Sequence, residues 1–200
     1  AWRMKPMGPI QPEFLASEGE VRISGRRATE LVAEAGDTPL FVYDAGMVRT
    51  RVARLRLAMP AQLSVHYAMK ANPYPSLLTE IVKQVDGIDV ASAGEMRAAL
   101  AAGADPAAIS FAGPGKRDDE LAAAIEAGIT LNLESEGEAE RALAVAARQD
   151  RRPRLAVRVN PDFELRGSGM RMGGGAKPFG VDAERAAALV RYIVEAGADY

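Results

Sequence analysis

The sequence predicts an α/β fold, a partial (β/α)8 barrel, from three observations. Short apolar runs such as Leu63 to Met69, Ile109 to Ala112 and Leu155 to Val159 are read as unalternating, which suits parallel strands buried on both faces. Each run is followed by a stretch of helical period, and the strand–helix unit recurs roughly every 20 to 25 residues. No G-x-G-x-x-G turn follows the first strand, which favours a barrel over an open doubly wound sheet. A smaller open α/β sheet is the alternative.

The elements follow in order. Residues 1 to about 25 are punctuated by Pro and Gly and predict an irregular lead-in with one short strand at Glu20 to Ser24. A short helix is expected over Ala28 to Glu34. Pro39 to Tyr43, an apolar run between Asp37 and Asp44, predicts a strand. Asp44 is placed to cap a helix running to about Leu57. Leu63 to Met69 is the next strand, and Pro75 to Gln84 the next helix, with Pro73 and Pro75 at its start. Ile88 to Ala91 is a strand, and Ser92 or Ala93 opens a helix that ends at Gly103. Ile109 to Ala112 precedes a helix at Asp118 to Ala127, which Gly128 ends. Thr130 to Leu133 precedes a helix that Ser135 caps, with Glu138 completing a capping box, and that runs to about Arg148. Leu155 to Val159 is the last strand. A Gly-rich loop then spans roughly Asn160 to Gly180, and a helix runs from Asp182 to about Ala196.

Five barrel strands start at or after Leu63, or six with Pro39 to Tyr43, where a barrel needs eight. Open parallel strands would leave edge hydrogen bonds and an apolar face uncovered. The chain is therefore expected to be the N-terminal part of a longer barrel. Residues 1–36 form the lead-in and residues 37–200 the barrel portion.

Composition excludes several function classes. The formal charge of -2 and the lack of a dense basic block give no case for nucleic acid. The arginines at 49, 51, 54 and 56 predict the solvated face of a helix. The absence of cysteine removes disulfides, thiolate metal sites and a cysteine nucleophile. No apolar run is long enough for a membrane span, and the N-terminus lacks a signal-peptide core. A soluble, cytoplasmic protein is expected.

The chemistry is expected in Ser64-Val-His-Tyr-Ala-Met-Lys-Ala-Asn72. Strand alternation places His66, Ala68 and Lys70 on one face, with Lys70 at the C-terminal end, where barrels keep their catalytic residues. A lysine ending a buried strand loses solvation, which favours the neutral amine as nucleophile and Schiff-base former. From pattern alone a lysine that snorkels from a strand end fits equally. His66 is the only histidine, so metal binding lacks companion ligands, and a packing or hydrogen-bonding role is expected. The run Gly167 to Gly175 lacks the Walker pattern and predicts a flexible or substrate-facing loop.

Tyr67-Ala-Met-Lys-Ala-Asn72 resembles the YAxKAN motif of the fold-type III decarboxylases dependent on pyridoxal phosphate (PLP), which act on diaminopimelate, ornithine and arginine. Four further segments are similar to that family in order and spacing. They are Gly87-Ile-Asp-Val-Ala-Ser-Ala-Gly-Glu95, Phe111-Ala-Gly-Pro-Gly-Lys116, Ala156-Val-Arg-Val-Asn-Pro161 and Lys177-Pro-Phe-Gly180. The Gly-rich loop is closer to exosortase-associated decarboxylases and to the carrier-protein-linked glutamate decarboxylase of butirosin biosynthesis.

The resemblance implies an alanine racemase-like barrel in which Lys70 holds PLP as an imine until a substrate amine displaces it. The α-carboxylate then leaves from the external aldimine. Asp89 and Glu95 match acidic positions of the family site, and Arg158 matches the arginine near the cofactor ring. A strand-end or N-capping acid is the plain alternative for Asp89, and stabilisation of the helix dipole for Glu95. Lys177 matches a family position that Pro178 disturbs. The substrate implied is a small amino acid, free or carrier-tethered, and the complete protein is expected to be a homodimer. The family's stacking histidine, phosphate loop, ring-nitrogen acid and C-terminal β-domain lie outside this stretch, so residues 1–200 alone are expected not to turn over. A racemase on the same fold and a non-catalytic relative remain the other readings.

Overall fold

The computed structural model describes residues 14, 16–17, 19–161, 163 and 179–200. Most of the expected lead-in before residue 19, the 167–175 run and Lys177 lie outside the described residues. Residue contacts divide the chain into two units, one ending at Leu55 and one covering Arg56–Tyr200.

The first unit carries an antiparallel meander of β1 (Ala16–Ser17), β2 (Glu20–Ile23) and β3 (Arg26–Arg27). The sequence predicts only the middle strand. Gly19 and Gly25 turn the meander at φ of 79° and 77°, a region open to glycine. Helix α1 (Ala28–Ala35) follows directly, and Glu20 on β2 accepts the Thr29 N–H in its first turn at 2.8 Å. Pro39 to Tyr43 is not a strand. It pairs with no other strand among the described residues, and Phe41 is 79% exposed. Apolar composition predicts burial, but a strand also needs a ladder partner. Helix α2 (Ala45–Ala58) starts where expected, because Asp44 Oδ1 accepts the N–H groups of Gly46 and Met47 at 2.7 and 3.1 Å. Its arginines 49, 51, 54 and 56 are exposed, as predicted.

The second unit is built on a parallel sheet with strands in sequence order. These are β4 (His66–Ala68), β5 (Gly87–Val90), β6 (Ile109–Phe111), β7 (Thr130–Leu133) and β8 (Leu155–Val157). Helices α3 (Pro75–Val82), α4 (Ala93–Ala101), α5 (Asp118–Ala127) and α6 (Glu136–Gln149) connect them. This serial strand–helix order is the barrel winding that the sequence predicts. Beyond β8 the chain adds β9 (Val159–Asn160), which pairs in parallel with β10 (Val181–Asp182). Helix α7 (Ala183–Glu195) then returns the chain to the start of β8, where Asp199 bridges to Arg154 in parallel.

One expectation about the strands is corrected. They alternate. Ile88, Val90, Ile109, Phe111, Leu131, Leu133 and Leu155 are buried, as are the helix residues Leu78, Met96, Leu121 and Ile125. Each such side chain contributes roughly 1.5–3 kcal/mol through burial. The other face carries His66, Ala68, Asp89, Ser110, Asn132 and Ala156, none of them buried. Among the described residues the sheet does not close. Strands only three or four residues long hide this period, because one polar residue between two apolar ones reads as a short interruption.

Candidate active site

The polar face and the C-terminal ends of β4 to β8 frame a cleft of about 340 Å³. It brings together Lys70, Asp89, Glu95 and Arg158, which the resemblance matches to the family site, and does not include His66. Ser110 and Asn132 also line it, and the Asn132 amide donates to the Ser110 hydroxyl.

The sequence places Lys70 at the C-terminal end of the strand, but β4 ends at Ala68. Lys70 sits on the one-turn 3-10 helix Met69–Ala71 that follows β4, and it is exposed. The motif around it explains the turn. Met69 is fully buried and anchors it. The Tyr67 hydroxyl donates to the Asn72 carbonyl at 3.0 Å, and the Asn72 N–H donates to the Met69 carbonyl at 3.2 Å. Asn72 Oδ1 accepts the Tyr74 N–H at 3.0 Å and leads into α3. Burial pushes the Tyr67 phenol above its ordinary value, against a smaller opposing effect of its hydrogen bond, so it stays protonated as the donor. The flanking Tyr and Asn therefore hold the turn that presents the amine.

Asp89 is the polar residue of β5, level with Ala68 of β4 and Ser110 of β6. Its Oδ1 lies 3.1 Å from His66 Nδ1. It is not a helix cap. That role belongs to Ser92, whose hydroxyl accepts the Glu95 N–H at 3.2 Å. Glu95 reaches back to accept the Ala91 N–H at 2.7 Å, which fixes its carboxylate at the cleft edge. The helix-start role considered for Glu95 and its place in the cleft thus coexist.

Arg158 lies between β8 and β9 with its side chain 29% exposed. The partner that an arginine between valines requires is Glu134, 2.9 Å away and 1% exposed. The Arg158 guanidinium also lies over the Phe179 ring at 5.1 Å. Glu134 was not foreseen from the sequence. Its carboxylate also accepts the N–H of Gly113 at 2.7 Å and of Gly180 at 2.8 Å, so it ties two loops to Arg158. Gly180 is required there. Its φ is 79°, and a Cβ would come within 2.8 Å of the Arg158 carbonyl.

Lys116 was also missed as a structural centre. Its Nζ donates to the carbonyls of Gly113 and Asn132 and to Glu138 Oε1, each at 2.7 Å, with the side chain 1% exposed. Glu138 Oε2 accepts the Glu134 N–H at 2.8 Å. A sequence signal existed for this framework. Glu134-Ser-Glu-Gly-Glu138 repeats the form of Ala91-Ser-Ala-Gly-Glu95, and each Ser caps a helix while each Glu reaches back.

Among the described residues no cluster of His, Cys, Asp and Glu could hold a metal ion. No helix among them is long and apolar enough to cross a membrane.

Comparison with known proteins agrees with this geometry. A diaminopimelate decarboxylase of Aquifex aeolicus is 35% identical over 162 residues, covering 80% of this chain and 38% of that protein. An L-glutamyl-(BtrI acyl-carrier protein) decarboxylase of Niallia circulans is 32% identical over 147 residues, 73% of this chain and 34% of that protein. The crystal structure of diaminopimelate decarboxylase from Helicobacter pylori, complexed with L-lysine, superposes with a TM-score of 0.78 at 27% identity. It is matched over 84% of this chain and 44% of its own. The chain thus spans less than half the length of these relatives. Residues 45–197 match the sequence model described as "Pyridoxal-dependent decarboxylase, pyridoxal binding domain". With the parallel strand–helix winding and the lysine-bearing cleft, that match establishes that the chain belongs to the family of pyridoxal-dependent decarboxylases, whose cofactor is pyridoxal phosphate.

Proposed function

We propose that the complete protein is an amino-acid decarboxylase that removes the α-carboxylate, and that Lys70 is the residue to which its cofactor attaches. The observation that carries this reading is the convergence of Lys70, Asp89 and Arg158 on one cleft within the matched domain. The residues fit the group. The cleft offers an exposed amine, a guanidinium and the polar side chains of Ser110 and Asn132, a donor set suited to an anionic ring bearing an aldehyde. When bound, pyridoxal phosphate supplies an aldehyde that condenses with amines and a ring that accepts the electron pair left by the departing carboxylate.

The chain's own residues have separable tasks. Lys70 offers its amine from the turn held by Tyr67 and Asn72. Arg158, oriented by Glu134, supplies positive charge at the far wall. Asp89 supplies negative charge near the amine end and is suited to accept a proton-bearing nitrogen. Glu95 orders the β5–α4 turn through the Ala91 N–H. We assign residues 37–200 to the N-terminal part of the cofactor-binding barrel and residues 1–36 to a lead-in.

The substrate is a small amino acid, and the names of the relatives supply two forms to test: free diaminopimelate and a glutamyl group tethered to a carrier protein. The family resemblance supports a homodimer, and a chain without cysteine is compatible with the cytoplasm. The test uses the full-length protein with bound cofactor, measuring carbon dioxide release and stereoinversion in parallel. Carbon dioxide release without inversion supports the decarboxylase. Inversion without gas release would make the protein a racemase.

A further inference from the structure

His66 is the one histidine of the chain, and its environment is specific. It stands opposite Gly87 across the β4–β5 ladder. The ring occupies the space that a side chain at position 87 would need, since a Cβ there would lie 2.4 Å from His66 Cε1 and 2.6 Å from Nε2. The Ala108 carbonyl, 2.6 Å from the same point, closes the other side. Gly87 is therefore a recess that seats the imidazole.

Seated there, Nδ1 lies 3.1 Å from Asp89 Oδ1, one step further along the same face of β5. A second carboxylate is near. Asp86 is held below its usual value chiefly by the Arg56 guanidinium and then by the Val65 N–H, with a smaller contribution from His66. Asp86 is already engaged, accepting two Arg56 N–H groups at 2.9 and 3.0 Å and the Val65 N–H at 2.7 Å. Asp89 is thus the acceptor that His66 serves. An ionised carboxylate only accepts, so the proton lies on Nδ1. Asp89 lines the cleft, and His66 stands two residues back along β4 from the level of Asp89 and is not among the lining residues.

We propose that His66 is a positioning residue: its Nδ1–H fixes the Asp89 carboxylate beside Lys70, where the remaining oxygen receives the ammonium group of an incoming amino acid. This rests on the reading of the cleft as an amino-acid site. A side chain on β5 with 49% exposure is otherwise free to change rotamer, and the imidazole bond removes that freedom.

Two measurements on the full-length protein test it. The first needs neither cofactor nor turnover. The 15N spectrum of the His66 ring, assigned by its loss in His66→Gln, is expected to show the proton on Nδ1 above neutral pH. In Asp89→Ala it is expected to move to Nε2. The second compares His66→Phe, which fills the recess without a donor, with His66→Gln, whose amide N–H replaces the donor. His66→Phe is expected to raise KM for the amino acid about tenfold with kcat within about threefold, the size of one charge-assisted hydrogen bond. His66→Gln is expected to return KM to within about threefold of the parent. An unchanged tautomer in Asp89→Ala overturns the proposal. So does a parent-like KM in His66→Phe, or an equal loss in both variants. Failure of every amino acid to turn over would sink the decarboxylase reading, and the tautomer experiment would still decide the dyad.

Discussion

Arg158 Nη1 lies 2.9 Å from Glu134 Oε1 and 3.3 Å from Oε2, so a buried carboxylate behind the cleft holds the cation that lines it. The same carboxylate binds the N–H groups of Gly113 and Gly180. Glu134→Ala leaves both amides and the guanidinium without this acceptor, with an expected loss of about 2–4 kcal/mol. Arg158→Ala leaves two hydrogen bonds on the carboxylate and is expected to cost less. Urea unfolding of the two single variants and the double variant checks this. The double variant should lose less than the sum, because the two residues share one interaction.

Lys116 and Glu138 form the second buried pair. Replacing Lys116 by Met strands Glu138 in the interior, for an expected loss of roughly 3–5 kcal/mol. Adding Glu138→Gln should recover only part of this. The glutamine oxygen can still accept the Glu134 N–H, but the carbonyls of Gly113 and Asn132 lose the lysine. Thermal unfolding of the single and double variants is the check.

Glu120 gives a pH dependence with a defined sign. Its carboxyl is held below the usual value, first by the Ala93 N–H at 3.0 Å and then by the Arg117 N–H at 3.1 Å, against opposing desolvation. The stabilisation is fully present above about pH 4.3, the ordinary glutamate value, and is lost as pH falls through the lower folded value. Glu120→Gln should cost about 1–3 kcal/mol at neutral pH. It should also flatten the fall in stability below about pH 4.3. A variant as acid-sensitive as the parent would contradict this assignment.

Gly87→Ala tests the imidazole recess. The new methyl group would lie 2.4 Å from the His66 ring and 2.6 Å from the Ala108 carbonyl, with an expected cost of about 1–3 kcal/mol for overpacking. Adding His66→Ala should relieve only part of that cost, because the Ala108 carbonyl is backbone and remains. Chemical denaturation of both variants measures it.

Local signals carried most of the fold. Asp44, Ser92 and Ser135 announce helix starts by side-chain chemistry within three residues, and Gly128 ends α5 at a φ of 75°. Pro39 to Tyr43 failed because strand formation depends on a distant partner. The site divides in the same way. Lys70, Asp89, Glu95 and Arg158 were legible from motif resemblance, and all four meet in the cleft. Glu134 was not, because its partners Gly113, Arg158 and Gly180 are 21, 24 and 46 residues away. His66 was expected to pack or hydrogen-bond. Its acceptor is Asp89, 23 residues on, and only the register of β4 on β5 reveals that pairing.

In the proposed decarboxylase Lys70 carries the cofactor. Borohydride reduction of the full-length protein followed by peptide mass spectrometry tests it directly. A pyridoxyl-phosphate adduct on the peptide containing Lys70, absent in Lys70→Ala, is the expected result. An adduct on another lysine with Lys70 unmodified would contradict the account, as would no adduct in protein saturated with pyridoxal phosphate.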